Sequence, residues 1–251
     1  MLTEEQRRRY QRHLVLNGLG PAGQARLLGS SVLVVGTGGL GSPVAYYLAA
    51  AGVGRITLAD PDTVDLSNLQ RQILHSTADL GRRKVESAAE KLQALNPELH
   101  IATCPEGLTA QNAAQLVGAH DLVVDCLDNF PDRYLLNQTC RRLGRPLIYG
   151  GVLAYSGQLM TILPDRGPCL ACLYRNEPRE GAPDCARHGI LAPVPGVIGT
   201  LQAAEAIKYL AGSGDLLVGR LLIYDALLGS FMEVKVQPDP ECPVCGDQSR
   251  S

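Results

Sequence analysis

Four of the eight cysteines in this 251-residue chain form two C-x-x-C pairs. The first pair is Cys169 and Cys172, within CLAC, and the second is Cys242 and Cys245, within CPVC. Four sulfur ligands with no histidine and no open position are typical of a structural zinc site. The spacing therefore predicts one Zn²⁺ ion that ties the C-terminal segment to the body of the chain. A thioredoxin-like redox pair would need a strand-to-helix turn, which neither pair has.

A glycine-rich segment, VVGTGGLGSP, is typical of a phosphate-binding turn. It places Gly36, Gly38 and Gly41 in the spacing G-x-G-x-x-G between an apolar run and a helical pattern. Such a turn holds a dinucleotide or a mononucleotide, or serves only for tight packing. Asp60 ends the next apolar run, where an acidic side chain takes a ribose hydroxyl of NAD or ATP alike. The turn alone leaves the identity of the nucleotide open.

Charged residues beyond Asp60 favour a triphosphate. Asp62 and Arg71 lie in DPDTVDLSNLQRQ, and Lys84 stands near the start of a predicted helix. A triphosphate needs such cations, whereas a nicotinamide has little use for them. Arg71 and Lys84 could also be ordinary surface cations, as most Arg and Lys side chains are. Their place near the carboxyl ends of predicted parallel strands, where ligands bind in such sheets, favours the phosphate role.

A further acid follows another apolar run, in DLVVDCLDNF. Asp128 comes just after the predicted strand, where its carboxylate could hold Mg²⁺ between phosphate oxygens. Asp128 and Asn129 could instead cap the next helix, and one residue could do both. Arg71, Lys84 and Asp128 together favour ATP. An NAD(P)-dependent oxidoreductase is therefore the less favoured alternative.

An open α/β sheet is the element that would bring these residues together. From Ser31 to Gly150, short β-branched runs alternate with helical patterns near 40–51, 79–95, 109–117 and 131–144. After Gly150, GQLMTILP and RLLIYDALLGSFMEVKV have the pattern of strands without crossover helices, and a long helix covers about 199–210. We therefore predict an α/β fold with a Rossmann-like doubly wound sheet. Its parallel N-terminal half is extended by antiparallel C-terminal strands.

The pattern indicates one domain with three parts. Residues 1–29 form an N-terminal helical arm, 30–150 a nucleotide-binding half, and 151–251 a second half that holds the zinc cysteines. Within the second half, a Pro-, Gly- and charge-rich loop covers about 176–190. Cys185 lies in this loop, where nearby basic residues would favour its thiolate. Cys185 is therefore a candidate nucleophile.

Composition limits the possible partners. The formal net charge is −2, and basic runs such as Arg7 to Arg9 are short, so we expect no nucleic-acid partner. No stretch approaches eighteen uninterrupted apolar residues, and the N-terminus has a charged helical pattern rather than that of a signal peptide. We expect no membrane partner and a cytoplasmic location.

Motifs spread over nearly the whole chain occur together in one known family. They are VVGTGGLGSP, LADPDTVDLSNLQRQ, GRRKVESA, DCLDN with RYLLNQTC, the two cysteine pairs, and PGVIGTLQAAEAIKYL. In this order they resemble the MoeB/ThiF family of ubiquitin-activating-type adenylyltransferases. The resemblance implies ATP-dependent adenylation of the C-terminal Gly-Gly carboxylate of a ubiquitin-like sulfur carrier, with release of pyrophosphate. A MoaD-like carrier of molybdopterin biosynthesis is expected first, and a ThiS-like or tRNA-thiolation carrier is the alternative.

The same resemblance implies roles for individual residues. Gly39 would lie against the phosphates, Asn68 and Gln72 would line the site, and Asp128 would be the acid linked to Mg²⁺. Arg12, within RYQRHLVL, would reach the ATP site of a partner subunit, which implies a homodimer. Cys185 matches the position of a reactive cysteine in some members. The full predicted nucleotide-binding set is Gly36, Gly38, Gly39, Gly41, Asp60, Asp62, Asn68, Arg71, Gln72, Lys84, Asp128 and Asn129.

The chemistry that the resemblance implies needs few catalytic groups. The carrier carboxylate is already an anion, so no general base is required, and cations with a metal ion remove its repulsion from the α-phosphate. No rhodanese domain follows Cys245, so we expect a separate sulfur donor such as a cysteine desulfurase or a rhodanese. A non-catalytic scaffold that docks the carrier is less favoured, because Arg71, Lys84 and Asp128 are all present.

Overall fold

A single mixed β-sheet forms the centre of the computed structural model, which describes residues 2–175 and 188–246. Within these ranges the strands are β1 (Ser31–Val35), β2 (Arg55–Ala59), β3 (His100–Cys104), β4 (Leu122–Asp125), β5 (Leu147–Leu153), β6 (Ser156–Ile162), β7 (Arg220–Asp225) and β8 (Ser230–Lys235). Their spatial order is β3-β2-β1-β4-β5-β6-β7-β8. Strands β1 to β5 pair in parallel, whereas β5 to β8 pair in antiparallel fashion. The predicted α/β fold is confirmed.

The register of the parallel strands brings three strand ends together. Val35, the last residue of β1, pairs with Ala59 of β2 on one side and with Asp125 of β4 on the other. The chain leaves all three strands at the same edge of the sheet, which is where ligands bind in open α/β folds. The segments that begin at Gly36, Asp60 and Cys126 therefore start side by side.

Helices cover both faces of this sheet. They are α1 (Glu4–Arg9), α2 (Gln11–Leu14), α3 (Gly20–Gly29), α4 (Gly41–Ala51), α5 (Lys84–Leu95), α6 (Ala113–Gly118), α7 (Phe130–Arg142), α8 (Leu170–Leu173) and α9 (Pro193–Ala211). Alternate residues of β1 face opposite layers: Val32 and Val34 pack with one apolar cluster, and Leu33 and Val35 with the other. All of β1 is buried, whereas every residue of the edge strand β8 is exposed. None of the described helices combines the length and apolarity required to cross a membrane.

Three helices begin at other residues than the sequence predicts. α5 begins at Lys84 rather than near 79, because Thr77–Asp79 forms a separate 3₁₀ turn and Arg83 has an extended ψ of 132°. α9 begins at Pro193 rather than near 199, with Pro193 and Pro195 in its first turn. The first turn of a helix tolerates proline because its N–H groups have no partner within the helix. The predicted helix near 109–117 is also shorter at its start, since Ala113 is its first helical residue.

Candidate functional site

A cavity opens at the edge where β1, β2 and β4 end. Most of the predicted nucleotide-binding residues line it, on the turn after β1, the segment after β2, the start of α5 and the segment after β4. These residues are Gly36, Gly38, Gly39, Asp60, Asp62, Arg71, Gln72, Lys84, Asp128 and Asn129. The fold therefore brings together residues that are as far apart as 36 and 129 in the chain.

The glycine turn is fixed by close packing of its backbone. Gly36 has a φ of 95°, and a Cβ there would lie 2.5 Å from the carbonyl oxygen of Cys126. A Cβ on Gly41 would lie only 2.0 Å from the carbonyl oxygen of Gly36. Gly41 does not line the cavity, so its geometry is that of a packing residue at the first position of α4. Gly38 and Gly39 line the cavity together with Gly36.

The carboxylate of Asp60 ties this turn to the end of β2. Its Oδ2 accepts hydrogen bonds from the backbone N–H of Thr37 at 2.7 Å and from Thr37 Oγ1 at 2.9 Å. Its Oδ1 accepts one from the N–H of Asp62 at 2.9 Å. Asp60 is only 5% exposed. Thr37 has no signal in the sequence, because it occupies a variable position of the glycine pattern.

The two predicted phosphate-binding cations have different surroundings. Lys84 is the first residue of α5, and its Nζ lies 2.7 Å from Asp62 Oδ2. The Lys84 side chain is 6% exposed, whereas that of Asp62 is 64% exposed. Arg71 is half-buried, and its guanidinium donates to the carbonyl oxygen of Ser67 at 3.0 Å. The buried ammonium of Lys84 and the half-buried guanidinium of Arg71 therefore both line the cavity.

The segment after β4 separates two roles that the sequence left together. Asn129 caps α7, because its side chain accepts a hydrogen bond from the N–H of Asp132 at 3.0 Å. Asp128 is exposed, lines the cavity, and has no hydrogen-bond or ion-pair partner among residues 2–175 and 188–246. An unpaired carboxylate is a hard oxygen ligand, which fits Mg²⁺.

A buried ion pair positions the residue before Asp128. Asp125 is fully buried at the end of β4, and its Oδ1 lies 3.8 Å from Arg133 Nε. Burial raises the pKa of Asp125 to about 6, although Arg133 opposes this shift. Asp125 accepts from the N–H of Leu127, and Arg133 donates to the carbonyl oxygen of Leu127. Both backbone polar groups of Leu127 are therefore held. Arg133 cannot be recognised from the sequence, since nothing in a helical pattern marks it.

A second cavity adjoins the first and has a volume of about 660 Å³. The two share Leu127, Asp128 and Val152 as lining residues. Aromatic rings form much of its wall, and Tyr149 OH accepts a hydrogen bond from Gln158 Nε2 at 3.2 Å. This cavity cannot be predicted from the sequence, because its residues come from separate elements. Its aromatic and polar lining residues include Phe130, Arg133, Tyr149, Gln158 and Tyr174.

The two cysteine pairs meet as the spacing predicts. The four Sγ atoms lie within 4.8 Å of one another, with 3.6 Å between Cys169 and Cys242 and 3.3 Å between Cys172 and Cys245. Four sulfurs arranged tetrahedrally at about 2.3 Å from one Zn²⁺ would lie about 3.8 Å apart, whereas a disulfide requires about 2.05 Å. The cluster therefore fits one zinc ion, with no fifth residue needed.

Asn68 and Arg12 join Gly41 as predicted residues that do not line the first cavity within the described part of this chain. Asn68 closes a 3₁₀ turn, where its Oδ1 accepts from the N–H of Asp65 at 3.1 Å. Arg12 lies exposed on α2. Cys185 falls outside the described residues, as does most of the loop predicted at 176–190.

Comparison with known proteins places this architecture among adenylating enzymes. A model of the ThiF family matches residues 10–244. The chain is 47% identical over 252 residues to the sulfur carrier protein adenylyltransferase of Thermus thermophilus, covering 98% of this chain and 93% of that protein. It is 45% identical over 249 residues to the adenylyltransferase and sulfurtransferase MOCS3 of Mus musculus. The chain covers 54% of that mouse protein, and 98% of this chain is aligned.

Solved structures show the same fold. The structure of Escherichia coli MccB with MccA-N7isoASN has a TM-score of 0.85 and 25% sequence identity. That alignment covers 96% of this chain and 75% of MccB. The same E. coli protein solved with ATP has a TM-score of 0.77 and 25% identity, covering 90% of this chain and 68% of MccB.

Proposed function

Because this chain belongs to the ThiF family and is an adenylyltransferase, we propose that it uses ATP to adenylate the C-terminal Gly-Gly carboxylate of a ubiquitin-like sulfur carrier. Relatives at 45–47% identity support this, since they are named for sulfur-carrier adenylation and sulfur transfer. Pyrophosphate is the other product. A MoaD-like carrier of molybdopterin biosynthesis is our first choice, and a ThiS-like or tRNA-thiolation carrier is the alternative.

The observation that carries the proposal is the arrangement of the first cavity. The backbone N–H groups of Gly38 and Gly39 have no acceptor among the described residues, and both glycines face the cavity. Lys84, Arg71 and the unpaired carboxylate of Asp128 line the same cavity. Unpaired backbone N–H groups and cations bind phosphate oxygens, while a free carboxylate binds a divalent ion. We propose that this cavity holds Mg·ATP.

Asp60 retains capacity for the ribose. A carboxylate offers about four lone-pair sites, and the three hydrogen bonds from Thr37 and Asp62 use three of them. The remaining site is on Oδ1, since Oδ2 accepts both bonds from Thr37. We assign this oxygen to a ribose hydroxyl. The adenosine would then lie beside β2, with its phosphates directed towards Gly38 and Gly39.

The proposed reaction is attack of the carrier carboxylate on the α-phosphate. Lys84 and Arg71 would neutralise the phosphate oxygens, which lowers the repulsion between two anions as they approach. Asp128 would hold Mg²⁺, which supplies further positive charge to the phosphates. Gln72, 5% exposed, would line the site beside Gly38. The bond from the α-phosphorus to the bridging oxygen breaks, and pyrophosphate leaves with that oxygen.

The second cavity offers a route for the carrier tail. It joins the first cavity at Leu127, Asp128 and Val152. An extended Gly-Gly segment has no side chains, so it can pass through a narrow channel in which its backbone lies close to the protein. We propose that the tail lies between the aromatic wall of the second cavity and the phosphates in the first.

We further propose a homodimer in which Arg12 completes the partner's site. Arg12 is exposed on α2 and does not line the cavity of its own chain. Val15 and Leu16 follow it and are 72% and 53% exposed, and a partner subunit would cover such apolar side chains. If sites are shared, mixing Arg12→Ala with Asp128→Ala protein restores about one quarter of the sites after exchange. No recovery on mixing contradicts a shared site.

Three further assignments complete the proposal. Adenylation forms no carbon–sulfur bond, so we propose a separate sulfur donor, such as a cysteine desulfurase or a rhodanese. Cys185 is our candidate for a covalent bond to the carrier, and replacing it with serine tests this. We place the reaction in the cytoplasm, where reducing conditions keep the four zinc-binding thiols available.

The test is exchange of labelled pyrophosphate into ATP with a purified carrier that ends in Gly-Gly. Exchange should require the carrier, and Arg71→Ala and Asp128→Ala should each abolish it. Arg142→Ala and Asp165→Ala are matched controls, because both residues are exposed and lie outside either cavity. Carrier-independent exchange would disprove the proposal. ATP binding without exchange for any carrier would support a docking scaffold instead.

A further inference from the structure

A buried histidine lies directly behind the glycine turn. His75 is 6% exposed, and its Nε2 lies 3.1 Å from the carbonyl oxygen of Thr37. Its Nδ1 lies 2.9 Å from Ser87 Oγ on α5. A carbonyl only accepts hydrogen bonds, so Nε2 must carry the proton and donate. Nδ1 then accepts from the Ser87 hydroxyl, whose oxygen accepts from Lys91 Nζ at 2.7 Å. The tautomer of His75 is therefore set by its two neighbours.

The charges around His75 favour its neutral form. Burial lowers the pKa of His75, and the nearby ammonium groups of Lys91 and Lys84 lower it further. Asp79 and the hydrogen bond to Thr37 act in the opposite direction. A neutral imidazole has one donor and one acceptor, which matches the two bonds that the ring makes.

The bond to Thr37 determines the direction of the next peptide group. Thr37 donates both its N–H and its hydroxyl to Asp60, and its carbonyl oxygen faces His75, which does not line the cavity. The described peptide bonds are trans, so the N–H of Gly38 points opposite to the Thr37 carbonyl. Gly38 lines the cavity, and its N–H has no acceptor among the described residues. The bond to His75 thus aims the Gly38 N–H into the open space.

We propose that His75 is a positioning residue for the adenylation reaction, which holds the 37–38 peptide so that the Gly38 N–H donates to a phosphate of ATP. Glycine rotates more freely than other residues, so this peptide could flip without the bond. A flipped peptide would aim the Thr37 carbonyl oxygen at the phosphates and repel them. The inference rests on the proposed use of this cavity for ATP.

The experiment compares three variants in the exchange assay and by calorimetric titration with ATP. His75→Leu removes the donor, and its KM and Kd for ATP should rise about tenfold, while its KM for the carrier stays unchanged. His75→Gln keeps an N–H near the position of Nε2 and should restore both ATP constants to within about threefold. His120→Leu is the matched control.

His120 is a suitable control because it is also buried and bonded at both nitrogens. It is 5% exposed, and its Nε2 and Nδ1 each lie 2.7 Å from an oxygen, Thr57 Oγ1 and Leu116 O respectively. It does not line the first cavity. His120→Leu should lower the melting temperature about as much as His75→Leu does, but leave the ATP constants unchanged.

Three results would overturn the inference. They are unchanged ATP constants in His75→Leu, an equal rise in His120→Leu, and a folded His75→Gln variant without rescue. If His75→Leu does not fold, Ser87→Ala removes the hydrogen bond to Nδ1 instead. Its Kd for ATP should rise about threefold, and an unchanged Kd would overturn the inference. Wild-type protein that binds ATP without exchange would contradict the proposed function alone, since the titrations still test His75.

Discussion

Replacement of Asp60 by alanine should break the hydrogen bonds that attach the glycine turn to the end of β2, and so destabilise the protein even when no ATP is present. The carboxylate accepts three hydrogen bonds, two from Thr37 and one from the N–H of Asp62, at 2.7–2.9 Å. A hydrogen bond to a charged group contributes about 1.5–3 kcal/mol. The three do not add fully, because Asp60 borders the cavity and water can reach the donors that are left.

We therefore expect Asp60→Ala to lower the free energy of unfolding by about 3 kcal/mol. For a chain of this size, such a loss lowers the melting temperature by about 6–12 °C. The assay is urea denaturation followed by circular dichroism, without nucleotide. Thr37→Val is the matched control, because it removes only the hydroxyl bond and should cost about 1.5 kcal/mol.

A double-mutant cycle separates this effect from unrelated damage. In Asp60→Ala the hydroxyl of Thr37 has already lost its acceptor, so adding Thr37→Val should cost about 1.5 kcal/mol less than it does in the wild type. If the free energy of unfolding of Asp60→Ala lies within about 0.5 kcal/mol of the wild-type value, the carboxylate does not hold the turn. Asp60 would then act on the ligand alone.

Three other predictions concern the zinc cluster, a buried acid and a packing glycine. Cys242→Ser should lose bound zinc and melt at least about 5 °C lower, whereas Cys104→Ser, outside the cluster, should keep its zinc; metal analysis and calorimetry measure both. Although burial raises the pKa of Asp79, hydrogen bonds from Lys91 and others hold it well below the usual range. Its stabilisation is present above the unfolded pKa near 3.9 and is lost as the pH falls through the lower folded pKa. Asp79→Asn should therefore cost about 2 kcal/mol in urea denaturation at pH 7, with a difference that shrinks below pH 4; a constant difference would contradict this. Gly41→Ala places a Cβ 2.0 Å from a backbone oxygen and should prevent soluble expression or unfold at least about 3 kcal/mol more easily, so normal stability would show that α4 can shift.

The sequence was sufficient for the strands and for much of the first cavity because one rule governs both. Apolar β-branched runs such as that of β1 are buried on both faces, and polar residues that follow them must emerge at one edge. This rule places Asp60, Lys84 and Asp128 at one edge of the sheet from the sequence alone. The spacing of the two cysteine pairs likewise predicts the four-cysteine cluster, since four thiolates are typical ligands of a structural zinc ion.

Contacts between distant segments could not be predicted from local patterns. His75 and Thr37 are 38 residues apart and belong to no motif of catalytic spacing. Arg133 lies on α7 like any helical cation until the fold buries it against Asp125. The sequence predicts the start of α9 too late because proline occurs both in the first turn of helices and at sites that interrupt them.

The contact between Asp62 and Lys84 has a consequence for the empty enzyme. A lone ammonium that is 6% exposed would destabilise the folded chain, and Asp62 acts as its internal counterion. In the proposed binding mode, an arriving nucleotide would displace this counterion, and the Asp62 side chain, 64% exposed, already borders solvent. Part of the attraction between Lys84 and phosphate is thereby exchanged for stability in the absence of substrate. If Lys84 binds phosphate as proposed, the Asp62 contact lowers the affinity for ATP and stabilises the folded protein when no ATP is bound.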